Sequence, residues 1–182
     1  MNFGFSEDQK LLRSVVRDYL RTKAPPAYAR TMMDDRIGIT DELWHDVAEL
    51  GWLGLAIPES YGGSGLGCLD LAIVMEEAGE VVLPGPFMST AALTTPAMLA
   101  HASAAQRQRF LPDIASGKLR GTMAFAEAAG RWAEDAVMTT AEARGDRYVL
   151  RGTKLFVPDA RGADVILVVA KLGGRAGLFA VP

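Results

Sequence analysis

Apolar residues in the first two thirds of the chain recur every three or four positions, which is the spacing of one helical face. Ser6 and Gln9 match a capping box that begins the first predicted helix, and the run Ala24-Pro25-Pro26 ends it. Ser103 and Gln106 match a second capping box at the start of the last predicted helix. Further helices are predicted over residues 27–33, 40–50, 68–82, 87–101 and 103–116, with a kink at Pro96 and a bend at Pro112. In the helix over 68–82, the inward positions are predicted to be Leu69, Ala72, Met75 and Ala78.

The pattern changes after Gly117, where short segments, several of them rich in valine, leucine and phenylalanine, replace the helical spacing. They predict strands over residues 123–128, 137–143, 147–152, 153–159, 164–172 and 177–182. Gly145-Asp146 predicts a hairpin turn, and Gly173-Gly174 predicts a second turn. The sequence therefore predicts an α+β fold, in which an N-terminal all-α helical bundle over residues 1–120 precedes an incomplete, β-barrel-like middle domain over residues 121–182.

The predicted sheet is open. Its last strand runs to Pro182 and would leave an unpaired edge, which is a liability for a soluble protein. About five strands are also few for a closed barrel. We therefore expect the chain to be a fragment, a truncated gene product or one piece of a larger assembly.

Four glycines lie close together in the stretch over residues 56–70, which raises the question of a phosphate-binding loop. A Walker loop needs lysine followed by serine or threonine after the last glycine, and Cys68-Leu69 stands there instead. A dinucleotide fingerprint needs glycine or alanine at position 68 and an acidic residue about 20 positions later, but residues 83–90 contain none. The stretch is interpreted as a turn between two packed elements.

Composition and charge exclude several classes of function. The 182 residues carry a net charge of −3, so no basic surplus favours nucleic-acid binding. The single cysteine, Cys68, excludes an intrachain disulfide and fits a reducing compartment. The N-terminal residues lack the pattern of a secretory signal, and no apolar run approaches the ~18 residues of a membrane span. We expect a cytoplasmic protein with no membrane span.

Local chemistry does not name a function. His45 and His101 lie in different predicted helices, and no histidine or cysteine cluster has the spacing of a metal site. The acidic residues of the helix over 68–82 are interpreted as a solvated face, although acid–base groups remain an alternative; these are Glu76, Glu77 and Glu80. Trp132 and Phe156 are candidates for stacking on a planar cofactor, while plain core packing is the commoner role of such aromatic residues.

The order of four segments is more informative than any single residue. The chain reads SEDQKLLRSVVRDYL, then LWHDVAELGWLGLAIPESYGGSGLGCLDLAIVMEEAGE, then QRQRFLPDIASGKLRGTMAFAE, then YVLRGTKLFVPDARGADVILVVAK. This order resembles the acyl-CoA dehydrogenase family over essentially the whole chain. The family's motifs are a P-E-x-Y-G-G-x-G turn before a helix with E-E-x-(A/G), a Q-(R/K)-x-x-x-L-P-x-x-x-x-G segment, and a G-x-K-x-(W/F)-(I/V) strand. The resemblance identifies the glycine stretch as the turn between helices.

The resemblance implies a fold with an α domain, a β domain and a second helical domain that is absent from these 182 residues. It implies FAD as cofactor and an acyl-CoA thioester as substrate, oxidised by transfer of a hydride to the flavin. The catalytic glutamate of most members lies in that absent domain, so no catalytic residue is assigned here. The acyl pocket would lie between the helices over 68–82 and 87–101 and the flavin, with residues 85–90 near its base.

The resemblance also implies cofactor-binding positions. The family's T-E-P-x-A-G-S strand corresponds to residues 126–132, where Ala126 replaces threonine and Trp132 replaces serine. Backbone groups of Phe125 and Ala126 remain able to reach the flavin. In the W-I-T-N strand, Phe156 stands for tryptophan and covers the ring face, while Pro158 supplies neither a hydroxyl nor an N–H.

These departures leave three hypotheses. The first is that the chain is part of an FAD-dependent acyl-CoA dehydrogenase, which acts in a homo- or hetero-oligomer of related subunits. The alternative is a non-catalytic structural subunit of a heteromeric acyl-CoA dehydrogenase, which the residues at positions 126 and 158 favour. A helical binding module with a β appendage is the third.

Overall fold

The computed structural model describes residues 4–182. In that range the α-helices are α1 Glu7–Lys23, α2 Pro26–Thr31, α3 Asp41–Glu49, α4 Cys68–Glu80, α5 Thr95–His101 and α6 Ala104–Ala115. The strands are β1 Gly121–Ala124, β2 Thr140–Arg144, β3 Arg147–Arg151, β4 Val165–Leu172 and β5 Arg175–Val181. Helices thus precede a partial sheet, which confirms the predicted α+β fold class.

Two helices begin as their sequences predict. In the first capping box the backbone N–H of Gln9 donates to Oγ of Ser6 at 3.1 Å, and Ser6 N–H donates back to the Gln9 side chain at 3.1 Å. Ser103 and Gln106 repeat the arrangement at the start of α6. Because these boxes use orphan N–H groups of the first turn, the positions of α1 and α6 along the chain are set locally.

The predicted kink at Pro96 takes the form of a change in helix type. Residues Ser89–Thr94 form a wider, π-helical segment that runs directly into α5. Side chains support this wider turn, since Oγ1 of Thr94 donates to the Ser89 carbonyl at 2.9 Å and Oγ1 of Thr95 donates to the Thr90 carbonyl at 3.0 Å. These hydroxyl bonds add to the backbone bonds of the wider turn, and Pro96, which has no N–H, follows directly after it.

The sheet is organised around β4. Strand β5 pairs antiparallel with it on one side, and β1 pairs parallel with its first half on the other, in the register Gly121↔Val165. The β2–β3 hairpin joins only at the far end of β4, through Thr140↔Lys171. The β1 edge faces the helices, because Thr90 Oγ1 accepts from Gly121 N at 3.1 Å. This contact places the amino end of β1 beside the π-helical segment.

The prediction of a strand over residues 153–159 is wrong. The structure has an irregular extended segment there, paired to the rest by a single backbone hydrogen bond from Leu155 to Ala126. Two of its residues, Phe156 and Asp159, have φ of 51°, which a strand does not tolerate. Pro158 removes a further ladder donor. Apolar composition alone therefore overestimated strand structure in this segment.

The predicted inward face of α4 is also displaced. Leu69 and Ala72 are exposed, and of the predicted positions only Ala78 is buried in the core. The buried side chains of this helix are Leu71, Ile73, Val74, Glu77 and Ala78. Because α4 is apolar on most of its circumference, the pattern of its residues does not define one face, and packing against α1 decides it.

The glycine-rich turn is a packing device, as predicted. A Cβ at Gly63 would lie 2.0 Å from the Ile57 carbonyl oxygen. The N–H groups that follow it donate to carbonyls of the preceding turn, with Ser64 N bonded to the Gly54 oxygen at 3.0 Å and Gly65 N to the Ile57 oxygen at 2.8 Å. These donors are therefore used inside the protein and do not form an anion cradle.

Val82 is expected to limit stability. It follows α4 with φ of 54°, the left-handed conformation of a Schellman cap, in which Leu83 N donates to the Ala78 carbonyl at 2.8 Å. A β-branched residue is strained there, and 65 % of Val82 is exposed, so it offers little packing in return. Val82→Gly is expected to raise the free energy of unfolding by ~1 kcal/mol in urea denaturation. The control Val15→Gly, at an exposed helical position, should lower it by a similar amount.

Candidate functional site

Two segments from different parts of the chain lie side by side at the end of β1. Leu155 N donates to the Ala126 carbonyl at 2.9 Å, and Lys154 Nζ donates to the Phe125 carbonyl at 3.2 Å. The segments 125–127 and 154–156 contain three of the five predicted cofactor positions. The structure therefore brings together residues that are about 30 positions apart in sequence.

A nearly buried ion pair joins the two segments. The carboxylate of Glu127 lies 2.7 Å from Lys154 Nζ, and the two side chains are only 10 % and 8 % exposed. The carboxylate also accepts hydrogen bonds from the N–H groups of Met138 and Thr139 and from the Thr139 hydroxyl, at 2.7, 2.9 and 2.6 Å. Burial alone would raise the pKa of Glu127, but these bonds outweigh burial and lower it to about 2. Glu127 is therefore ionised at neutral pH.

Aromatic and apolar side chains lie exposed around this ion pair. The ring of Trp132 stacks on Phe125, with centroids 4.8 Å apart and planes at 12°. Trp132 is 78 % exposed, Met138 is 74 % exposed and Phe156 is 93 % exposed. Large apolar side chains with this much exposure in one region are unusual for a monomer and indicate a binding surface. Neither Trp132 nor Phe156 packs in the core.

The remaining predicted position, Pro158, lies on the helix side of the site. Its carbonyl accepts from the Thr122 hydroxyl at 2.6 Å. Next to it, burial raises the pKa of Asp159, and a hydrogen bond with Ser89 partly offsets the rise. Residues 85–90 are thus close to the second segment, as the expected acyl pocket requires. Two clefts of residues 4–182 open elsewhere, against α6 and the sheet. The acyl pocket stays a prediction.

The residues present fit a planar cofactor through stacking and backbone groups. Flat aromatic faces are available, and the segments that carry them are fixed by Glu127 and Lys154. The site is poorer in hydroxyl donors, because positions 126 and 158 have none. The nearby hydroxyls of Thr122 and Thr139 already donate to the Pro158 carbonyl and to Glu127.

Other candidate residues lie outside this site. His45 is exposed and 3.1 Å from Glu49, and His101 is exposed at the end of α5. Within residues 4–182, no group of histidine, cysteine, aspartate and glutamate side chains is arranged to hold a metal ion. None of the helices in the same range is long and apolar enough to cross a membrane.

The interpretation of the α4 carboxylates as a solvated face is wrong for Glu77. That residue is 2 % exposed, and Arg13 and Arg17 of α1 contact its carboxylate at 2.8 and 2.7 Å. Glu76 and Glu80 do lie at the surface, each paired with an arginine of α1. The carboxylates of α4 therefore fasten two helices together and do not form an acid–base site.

Sequence reasoning missed the Glu127–Lys154 pair, although both residues lie within the motifs that it singled out. The available signal was one acidic and one basic residue in two otherwise apolar segments. Charges in apolar segments are buried only when paired, so a mutual contact was the natural expectation. Met138 gave no signal, because only the tertiary structure brings it to Glu127.

Comparisons with known proteins agree with this architecture. The family described as acyl-CoA dehydrogenase, N-terminal domain, matches residues 6–118. Mitochondrial isovaleryl-CoA dehydrogenase of Bos taurus is 31 % identical over 92 % of this chain, which spans 40 % of that relative.

Two solved structures are similar over nearly the whole chain. The Tcur3481-Tcur3483 steroid ACAD G363A variant is 34 % identical over 96 % of this chain and 48 % of its own, with a TM-score of 0.85. The ChsE4-ChsE5 complex from Mycobacterium tuberculosis is 26 % identical over 100 % of this chain and 49 % of its own, with a TM-score of 0.82. The chain thus spans about half the length of the proteins that it matches.

Proposed function

Because the chain belongs to the acyl-CoA dehydrogenase family, we propose that it supplies the N-terminal helical part, residues 1–120, and the middle β part, residues 121–182, of an FAD-dependent acyl-CoA dehydrogenase. The reaction is the α,β-dehydrogenation of an acyl-CoA thioester. When bound, FAD supplies the hydride acceptor. The residues of this chain contribute binding and orientation, and the catalytic base lies outside residues 1–182.

Each part of the site has a defined task in this proposal. Phe156 covers one face of the flavin ring, and backbone groups of Phe125 and Ala126 lie at its edge. Glu127 and Lys154 hold the two segments in register, so that the exposed rings keep their positions without a bound ligand. A site that is organised before binding loses less conformational entropy when the ligand arrives.

One observation carries the proposal. Two sequence segments that resemble the flavin strands of the family are joined by a nearly buried ion pair. One segment carries the exposed ring of Phe156, and the other carries Phe125, on which the exposed ring of Trp132 stacks. Neither plain core packing nor a solvated surface accounts for this combination. The third hypothesis, a helical binding module with a β appendage, does not explain why the two segments meet.

The proposal predicts that the purified chain retains FAD. After incubation with FAD and removal of free cofactor, we expect a protein-shifted flavin band in the visible spectrum. Phe156→Ser should weaken FAD binding about tenfold through loss of one aromatic contact, with little effect on stability because the side chain is exposed. Met33→Ser, at a similarly exposed apolar position in the helical domain, is the control and should leave binding unchanged.

A folded chain that stays colourless after incubation with FAD would contradict the proposal that this polypeptide binds the flavin. Far-UV circular dichroism on the same sample separates this result from a failure to fold. The absence of hydroxyls at positions 126 and 158 supports the second candidate, a non-catalytic subunit of a heteromeric acyl-CoA dehydrogenase. That candidate predicts flavin binding only after a related subunit joins the chain, which native mass spectrometry of the two together would detect.

Acyl-CoA and related subunits are the proposed partners, in a homo- or hetero-oligomer. No nucleic acid and no membrane span enter the proposal. A cytoplasmic location also stays a prediction, since the bovine relative is described as mitochondrial.

A further inference from the structure

The loop over residues 130–136 presents Trp132 to solvent and is fastened to the sheet. The Glu134 carboxylate accepts from a backbone N–H of β5 at 2.9 Å. Lys171 Nζ, on β4, donates to the Asp135 carbonyl at 3.1 Å. The position of the Trp132 ring is therefore defined by contacts on two strands and by its stack on Phe125.

We call the stacked pair of Trp132 and Phe125 the aromatic shelf. The shelf is flat where Trp132 lies on Phe125, with an interplanar angle of 12°. Glu127 and Lys154 are the charged residues of segments 125–127 and 154–156, and they pair with each other, so neither segment brings an unpaired charge to the shelf. An uncharged, flat aromatic surface favours a planar ring as its occupant over an anionic or cationic group.

We propose that Trp132 stacks on the isoalloxazine ring of the flavin and compensates for the hydroxyls that positions 126 and 158 lack. The inference rests on the proposed function, since it assumes that the chain binds a flavin. It adds a ligand-contacting residue that is particular to this sequence, where the family's strand has a serine. A stacked aromatic contact and a neutral hydrogen bond contribute comparable free energies, so Trp132 offsets about one of the hydrogen bonds that these positions do not make.

Ring shape at position 132 is the variable to test. Trp132→Phe keeps a flat ring, Trp132→Leu keeps an apolar side chain without one, and Trp132→Ser restores the residue of the family strand. Dissociation constants for FAD and for riboflavin are measured by ultrafiltration with flavin absorbance. Trp132→Phe should stay within about threefold of the native chain, whereas the leucine and serine variants should each bind about tenfold more weakly.

Riboflavin separates a ring contact from a contact with the rest of the cofactor. Each Trp132 variant should weaken the binding of FAD and of riboflavin by the same factor, because the proposed contact is with the ring that the two ligands share. Emission of the bound flavin gives a second readout, since a stacked indole quenches flavin fluorescence at contact distance; the Trp132→Phe complex should be brighter. Tyr148→Leu is the matched control, because it removes a half-exposed aromatic ring that lies on β3 and contacts Phe179 of β5.

Four results would overturn the inference. Equal flavin affinity in the leucine and phenylalanine variants would show that any apolar side chain suffices. Unchanged affinity in all variants would leave the proposed function intact and remove Trp132 from the site. A change of oligomeric state in Trp132→Ser, with unchanged flavin affinity, would assign the shelf to a protein contact. If the native chain binds no flavin at all, the inference and the flavoprotein proposal for this chain both fail.

Discussion

Glu77→Gln is expected to lower the free energy of unfolding by about 3 kcal/mol, which is the cost of breaking a buried ion pair from one side. The Glu77 carboxylate is 2 % exposed and receives hydrogen bonds from Arg13 and from both Nε and a terminal nitrogen of Arg17. Glutamine keeps the volume but removes the charge. Urea denaturation at pH 7 measures the effect.

Glu76 provides a matched control, one position away on the same helix. Its carboxylate contacts Arg13 at 2.9 Å, but the side chain is 60 % exposed. Surface pairs contribute about 0–1 kcal/mol, so Glu76→Gln should change stability by less than 1 kcal/mol. A loss below 1 kcal/mol in Glu77→Gln, equal to that of the control, would contradict the assigned role of the buried carboxylate.

Glu77→Gln also tests how the free energy of unfolding depends on pH. Hydrogen bonds from Arg17, and then Arg13, outweigh burial and lower the pKa of Glu77 to about 2, from a usual value of 4.5. Because the pKa is lower in the folded state, the stabilisation is complete above pH 4.5 and is lost as the pH falls towards 2. Glu77→Gln should therefore lose less stability than the native chain between pH 5 and pH 3.

Lys154→Met is expected to have a comparable effect in the β part, of about 3 kcal/mol. It leaves the Glu127 carboxylate nearly buried with its hydrogen bonds from residues 138 and 139 but without a countercharge. The pKa of Glu127 should rise as a result. Chemical denaturation measures the stability, and FAD retention should fall together with the stability, because segments 125–127 and 154–156 lose the ion pair and keep only the Leu155–Ala126 backbone hydrogen bond.

A double variant distinguishes loss of the pair from loss of packing. Glu127→Gln combined with Lys154→Met removes both charges, so it should be more stable than Lys154→Met alone. Arg144→Met is the exposed control, since Arg144 and Glu142 form a surface pair at 3.1 Å, and it should change stability by less than 1 kcal/mol. If the double variant is no more stable than the single one, an unpaired charge is not the cause of the loss.

The sequence predicted those features that depend on neighbouring residues. The capping boxes at Ser6 and Ser103, the change from helices to strands after Gly117 and the turn function of Gly63 were all available from short stretches. Each of these features is decided by local geometry. A capping side chain bonds to the first turn of its own helix, the spacing of apolar residues differs between helices and strands, and position 63 has no room for a Cβ. The collinear order of motifs then indicated the family.

Only the tertiary structure decided what depends on distant residues. It buried Glu77 because arginines some 60 positions earlier in the chain neutralise it, and it assigned the inward face of α4 by packing against α1. It also joined segment 153–159 to the residues that follow β1, through Glu127 and Lys154. Burial, charge pairing and the exposure of Trp132 depend on which segments meet in space, and no local pattern carries that information.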